Sequence, residues 1–114
     1  MIAVNKSDVI LFIDDEKICH TLVELIIPNF TKFRLVIAFN GKEAIDLAKR
    51  YSNKLCLVLS DIILPDINGY EVFKILQEDE RFAQIPFIFQ SGLASQEESL
   101  RQNIDEDIKI IYTI

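Results

Sequence analysis

Apolar residues fall along this chain in two alternating rhythms. Residues 8–13 (DVILFI), 33–39, 55–60, 85–90 and 108–114 are short runs, apolar at most positions and rich in β-branched and aromatic side chains, so they read as strands. Pro86 is tolerable only near the start of its strand. Between these runs the spacing turns helical. Ile18, Leu22, Leu25 and Ile26 recur along a first helix, which Pro28-Asn29 is expected to stop. Ala44, Leu47, Ala48 and Tyr51 share one face of a second helix, and Val72, Phe73 and Leu76 line the inner side of a third. A weaker fourth helix, starting at Ser95, carries Leu100 and Ile104.

Three of the helix starts carry the same punctuation. Asn40-x-x-Glu43, Asn68-x-x-Glu71 and Ser95-x-x-Glu98 each fit a capping box or its Asn variant. The resulting order is β-α-β-α-β-α-β-α-β. Strands that are apolar throughout predict a parallel sheet covered on both faces. Right-handed crossovers then make it a doubly wound α/β layer fold. At 114 residues, with no repeat, low-complexity tract or linker, the chain reads as one domain.

Half of the residues are hydrophobic and 26% are charged, the balance of a soluble globular protein. The net charge of -6 argues against direct nucleic-acid binding, which needs clustered Lys and Arg. Cys19 and Cys56 lie within apolar patterns, and neither has a second Cys or a His at zinc-ligand spacing. They are expected to be buried free thiols in a reducing compartment. No signal-peptide pattern opens the chain and no apolar run approaches about 18 residues, so a cytoplasmic protein without membrane contact is expected.

Sites in open parallel sheets form beyond the carboxyl ends of the strands. There the first strand ends in Asp14-Asp15, the third in Asp61 and the fourth in Ser91-Gly92. Three carboxylates drawn to one rim raise one another's pKa. A hard divalent cation resolves the conflict, and Mg²⁺ suits one or two carboxylates plus a phosphate. Helix capping by the acidic pair would explain at most one of its members and leaves Asp61 unexplained.

Taken together, Asp14-Asp15, Asp61 with Ile62-Ile63-Leu64-Pro65-Asp66-Ile67-Asn68-Gly69, Asn40-Gly41-Lys42-Glu43-Ala44 and Ser91-Gly92 resemble the response-regulator receiver domains. The resemblance spans essentially the whole chain. It implies a flavodoxin-like, five-stranded sheet of order 2-1-3-4-5 and a phosphorylation switch of a two-component system. Asp61 would be the phosphoacceptor, forming an aspartyl phosphate. Asp14, Asp15, Asp61 and the Ile63 backbone carbonyl would hold Mg²⁺. Ser91 would contact the phosphoryl group, and Tyr112 would be a switch aromatic. The expected partners are a sensor histidine kinase or phosphotransfer protein and a downstream output domain or protein. Such a protein assists its own phosphorylation and dephosphorylation and is not a turnover enzyme.

The sequence departs from the family pattern at its end. A Lys is expected at the carboxyl end of strand five, but Lys109 stands near the beginning, about 15 Å from the rim at about 3.3 Å per residue. Counting from Tyr112 places that Lys just after Ile114, and the final helix is missing too. Residues 1–114 therefore read as a receiver domain truncated at the end of strand five. An uncovered sheet face makes a homodimer one expected outcome. Ile63 and Leu93 occupy positions that tune phosphate loss in this family, and both are apolar, which favours slow self-dephosphorylation. His20, one turn beyond the acidic pair, is expected on the helix surface.

Other functions fit less well. A haloacid-dehalogenase-type phosphatase needs a second Asp two residues after its nucleophile, where Ile63 stands. A flavodoxin-like FMN binder needs a Ser/Thr/Gly-rich loop after strand one, where Asp14-Asp15-Glu16 stand. The remaining rival is a receiver-fold interaction module that lacks productive phosphorylation.

Overall fold

A computed structural model describes residues 8–90 in full, together with the backbone of Ser91 and of residues 110–113. Within them the chain runs β1 (Val9–Ile13), α1 (Lys17–Phe30), β2 (Arg34–Ala38), α2 (Gly41–Arg50), β3 (Leu55–Asp61), α3 (Gly69–Gln77), β4 (Phe87–Ser91) and β5 (Ile110–Thr113). The five strands form one parallel sheet of order β2-β1-β3-β4-β5, as the pattern and the resemblance imply. The strand ends differ from the expected ones by one or two residues. The expected helix from Ser95, with Leu93 and Lys109, lies outside the described residues.

β1 is the buried axis of the sheet, with all five residues inaccessible. Its alternate residues Val9, Leu11 and Ile13 join Ala44 and Ala48 of α2 and Val72, Phe73 and Leu76 of α3 in the main core. Ile10 and Phe12 point the other way, and Phe12 meets His20 of α1 edge-on. The helices therefore cover both faces, α2 and α3 on one side and α1 on the other. Phe73, Phe87 and Phe89 add an aromatic cluster, with Tyr70 edge-on to Phe89.

The two described capping boxes form. Asn40 Oδ1 accepts the Glu43 N–H at 2.8 Å, and Asn68 Oδ1 accepts the Glu71 N–H at 2.9 Å. Glu71 returns the contact by accepting from Asn68 Nδ2 at 3.1 Å. Both fix the entry of a helix from a loop at the site-bearing edge.

α1 departs from expectation twice. Pro28 does not stop it, and the helix continues to Phe30. Pro28 loses one bond to the preceding turn and its ring crowds that turn, but it stands two residues from the helix end, so little helix lies beyond it to be disrupted. Thr31 closes the helix instead, giving both its N–H and its hydroxyl to the Ile27 carbonyl, at 3.0 and 2.5 Å. The second departure is rotational. Ile18, Leu22, Leu25 and Ile26 are exposed, while His20 is buried and Val23 and Ile27 are half-buried. The helix is apolar on two stripes, and periodicity alone does not say which one faces the sheet.

That rotation makes a stability contrast. Leu11 is 1% exposed and Leu22 is 54% exposed. Leu11→Ala is expected to cost about 2–5 kcal/mol through lost burial and a residual cavity, and Leu22→Ala to stay within about 0.5 kcal/mol. Urea melts of the two variants check this, and equal losses would place the Leu22 stripe in the core.

Candidate phosphoacceptor site

The sheet order reverses at β1: the chain goes outward to β2, then returns across β1 to β3. That reversal opens a crevice beyond the carboxyl ends of β1 and β3. The register Ile13↔Ser60 brings the residues after Ile13 level with Asp61, the last residue of β3. Asp14, Asp15 and Asp61 meet there, each offering a carboxylate oxygen within 4.8 Å of the others.

Each carboxylate is placed differently. Asp14 is 5% exposed; its N–H donates to the Ala38 carbonyl at 3.0 Å and its Oδ1 accepts from the Glu16 N–H at 2.9 Å. Asp15 is exposed at the mouth. Asp61 is half-buried and accepts from the Ile63 N–H at 3.3 Å. Burial, then the charge of Asp14, push the Asp61 carboxyl up from 3.8 to about 6, against the pull of the Ile63 and Ile62 N–H groups. The same field reaches Cys19. Burial, then Asp14, raise its thiol to about 11, so it is no nucleophile at neutral pH.

The other expected site residues are placed less completely. Ile63 is exposed in the loop leaving β3. Ser91 ends β4, one position past the Asp61↔Gln90 pair, which puts its backbone at the same rim. Tyr112 pairs with Gln90 along β5. The side chains of Ser91 and Tyr112 lie outside the described residues.

The loop that carries Ile63 is tied across the crevice. Asp66 accepts from the N–H groups of Gly41 at 2.8 Å and Lys42 at 2.9 Å, capping α2 from 25 and 24 residues away. These bonds to the helix N-terminus hold its carboxyl below the usual range, although its slight burial acts in the opposite sense. At the far end of the loop, Gly69 lies so close to the β3 backbone that a Cβ would sit 2.3 Å from the Asp61 carbonyl oxygen. No side chain larger than hydrogen fits without moving the loop.

Sequence reasoning missed His20. It is buried, not on the surface, with Nε2 2.5 Å from the Asp14 carbonyl oxygen. Its ring lies edge-on to Phe12 and Phe39, at centroid distances of 6.0 and 4.6 Å. The one available signal was its i, i+3, i+7 spacing with Val23 and Ile27. Cys19 and Cys56 are free thiols, as expected, though both are half-buried.

The sequence profile of the response regulator receiver domain matches residues 10–110. The chain belongs to this family. The receiver domain is similar to the response regulator Rre1 of Synechocystis sp., 32% identical over 80 residues, covering 70% of this chain and 34% of that protein. It is also similar to the probable transcriptional regulator ycf29 of Porphyra purpurea, 47% identical over 57 residues, covering 50% of this chain and 26% of that protein. The chain thus spans about a quarter to a third of these relatives. Among solved structures, the phosphorylated cyanobacterial phytochrome response regulator RcpA superposes with a TM-score of 0.78 at 22% identity, over 94% of this chain and 80% of that one. The receiver domain is thereby placed in two-component signalling. No helix among its described residues is long and apolar enough to cross a membrane.

The raised Asp61 pKa has a signed consequence. With the folded value near 6 and the ordinary value at 3.8, ionisation is costlier in the native state than in the unfolded one. In chelator-treated protein, stability from this group is therefore expected to fall as pH rises from 3.8 to about 6. Asp61→Asn should be more stable than wild type at neutral pH, with the gain vanishing below pH 3.8. Denaturant melts of both proteins across that range test the sign; a gain independent of pH would refute it.

Proposed function

We propose that this receiver domain is a phosphorylation-dependent switch in which Asp61 accepts a phosphoryl group from a histidine kinase or phosphotransfer protein. The convergence of Asp14, Asp15 and Asp61 within 4.8 Å at the sheet rim carries this reading. A carboxylate near pKa 6 is ionised at neutral pH yet more basic than a free Asp, which suits a nucleophile. An Asp61 oxygen attacks phosphorus, the P–N bond to the donor imidazole breaks, and that nitrogen keeps the electron pair and takes a proton. The product is an acyl phosphate on Asp61.

The donor set fits Mg²⁺: it is all oxygen and acidic, and burial together with the Asp14 charge raises the Asp61 pKa. Asp14, Asp15, Asp61 and the Ile63 carbonyl would hold it. The bound cation would offset the negative charge that gathers on the transferring phosphoryl oxygens. In this reading Asp14 and Asp15 would serve as cation ligands and Asp61, at the end of β3, as nucleophile. The Ser91 hydroxyl would then donate to a phosphoryl oxygen, and Tyr112 on β5 would follow the change at β4. An output domain or protein would read that change.

Two measurements test this proposal. Calorimetric titration should show weak Mg²⁺ binding that Asp15→Asn weakens by about tenfold or more, as expected for loss of a charged ligand; equal affinities would remove the cation site. Intact-mass analysis with acetyl phosphate should show a single phosphoryl adduct that Asp61→Asn abolishes. An adduct surviving in that variant would overturn the assignment. A protein that binds Mg²⁺ but forms no adduct would favour the receiver-fold interaction module.

A further inference from the structure

We infer that His20 is a positioning residue for the acidic pair, fixing the Asp14–Asp15 peptide so that the Asp15 carboxylate meets those of Asp14 and Asp61. The inference rests on the reading of these three carboxylates as a cation site.

The geometry is specific. A carbonyl oxygen can only accept, so the 2.5 Å contact to Asp14 requires the proton on His20 Nε2. The same residue's N–H is already committed to the Ala38 carbonyl at 3.0 Å. Asp14 is thus gripped on both sides, by the end of β2 through its N–H and by the first turns of α1 through its C=O. Its carbonyl belongs to the peptide plane whose other half is the Asp15 N–H. Holding that plane sets the direction in which the Asp15 Cα–Cβ bond leaves the backbone.

The clamp is itself confined. His20 is buried between Phe12, near the end of β1, and Phe39, which leads into α2. Phe39 is tied in turn, its N–H donating to Glu43 at 3.1 Å. An imidazole in this slot has little freedom, and its donor points at the loop rather than at the α1 backbone. The contact also explains why α1 turns His20 inward while the more apolar stripe of Ile18, Leu22, Leu25 and Ile26 faces outward. A buried donor bonded to a main-chain carbonyl leaves neither group unsatisfied.

His20→Phe and His20→Gln separate the hydrogen bond from the packing. Phe keeps a ring between Phe12 and Phe39 but cannot donate; Gln keeps an amide donor of similar reach. Each variant and the wild type are titrated with Mg²⁺ by calorimetry and melted in urea. His20→Phe is expected to weaken Mg²⁺ by ~10-fold, the low end for groups that orient a metal's ligands, and His20→Gln by no more than ~2-fold. A long-range ¹H–¹⁵N spectrum of the wild type, recorded without Mg²⁺, should show the proton on Nε2. Wild-type affinity in His20→Phe would overturn this inference and leave the cation site standing. Equal weakening in both variants would assign the loss to packing and overturn the hydrogen bond as its cause. A wild type that does not bind Mg²⁺ would overturn the cation site itself and the positioning role with it. If His20→Phe fails to fold, the Gln titration and the tautomer decide, and a proton on Nδ1 would overturn the clamp.

Discussion

Mutual repulsion among three carboxylates is the constraint around which this domain is arranged. Asp14, Asp15 and Asp61 are brought within 4.8 Å by two strands whose ends are level, and the sheet does not let them separate. β1 lies between β2 and β3 with every residue buried, so moving Asp14 away would break the core. Burial and, after it, the charge of Asp14 raise the Asp61 pKa. The main-chain N–H groups of Ile63 and Ile62 oppose that rise but do not cancel it. A parallel sheet with a reversal at β1 makes such a rim, and the rest of the fold stiffens it.

The stiffening comes from both sides of the crevice. On one side, Asp66 ties the β3–α3 loop to the first turn of α2, and Gly69 lets that loop return against the β3 backbone. On the other, His20 ties α1 to the loop after β1. The Asp66 tie joins its loop to a helix beyond the loop's own neighbours in sequence, whereas the His20 tie closes α1 back onto the loop that leads into it. Asp61 is thereby placed by β3 and by a loop that α2 holds.

Much of this was legible in the residues, for physical reasons. The apolar run of β1 ending in Asp14-Asp15, and that of β3 ending in Asp61, mark buried parallel strands that deliver charge to a rim. The Asn40 and Asn68 capping boxes work over three residues, so a local pattern records them. What was not legible depended on contacts distant in sequence or on a choice between two similar faces. The role of Asp66 was among these, because its partners Gly41 and Lys42 lie on another helix. α1 carries two apolar stripes, and the larger one was not the one turned inward. Pro28 reads as a stop, but the helix carries it in its last turn and ends two residues later.

The shallow seat of α1 has a consequence for how the domain opens. Of its fourteen residues only His20 is buried, whereas α3 buries Gly69, Tyr70, Val72, Phe73 and Leu76. Free energies of local opening follow buried contact, so α1 is the described helix that can detach at least cost while β1, β3 and α3 stay folded. Such an opening would withdraw His20 from the Asp14 carbonyl and slacken the acidic pair without unfolding the sheet. Whatever covers the outer stripe of α1 would raise the cost of that opening and so preserve the geometry at Asp14 and Asp15 from a distance, by suppressing one excursion of the native ensemble.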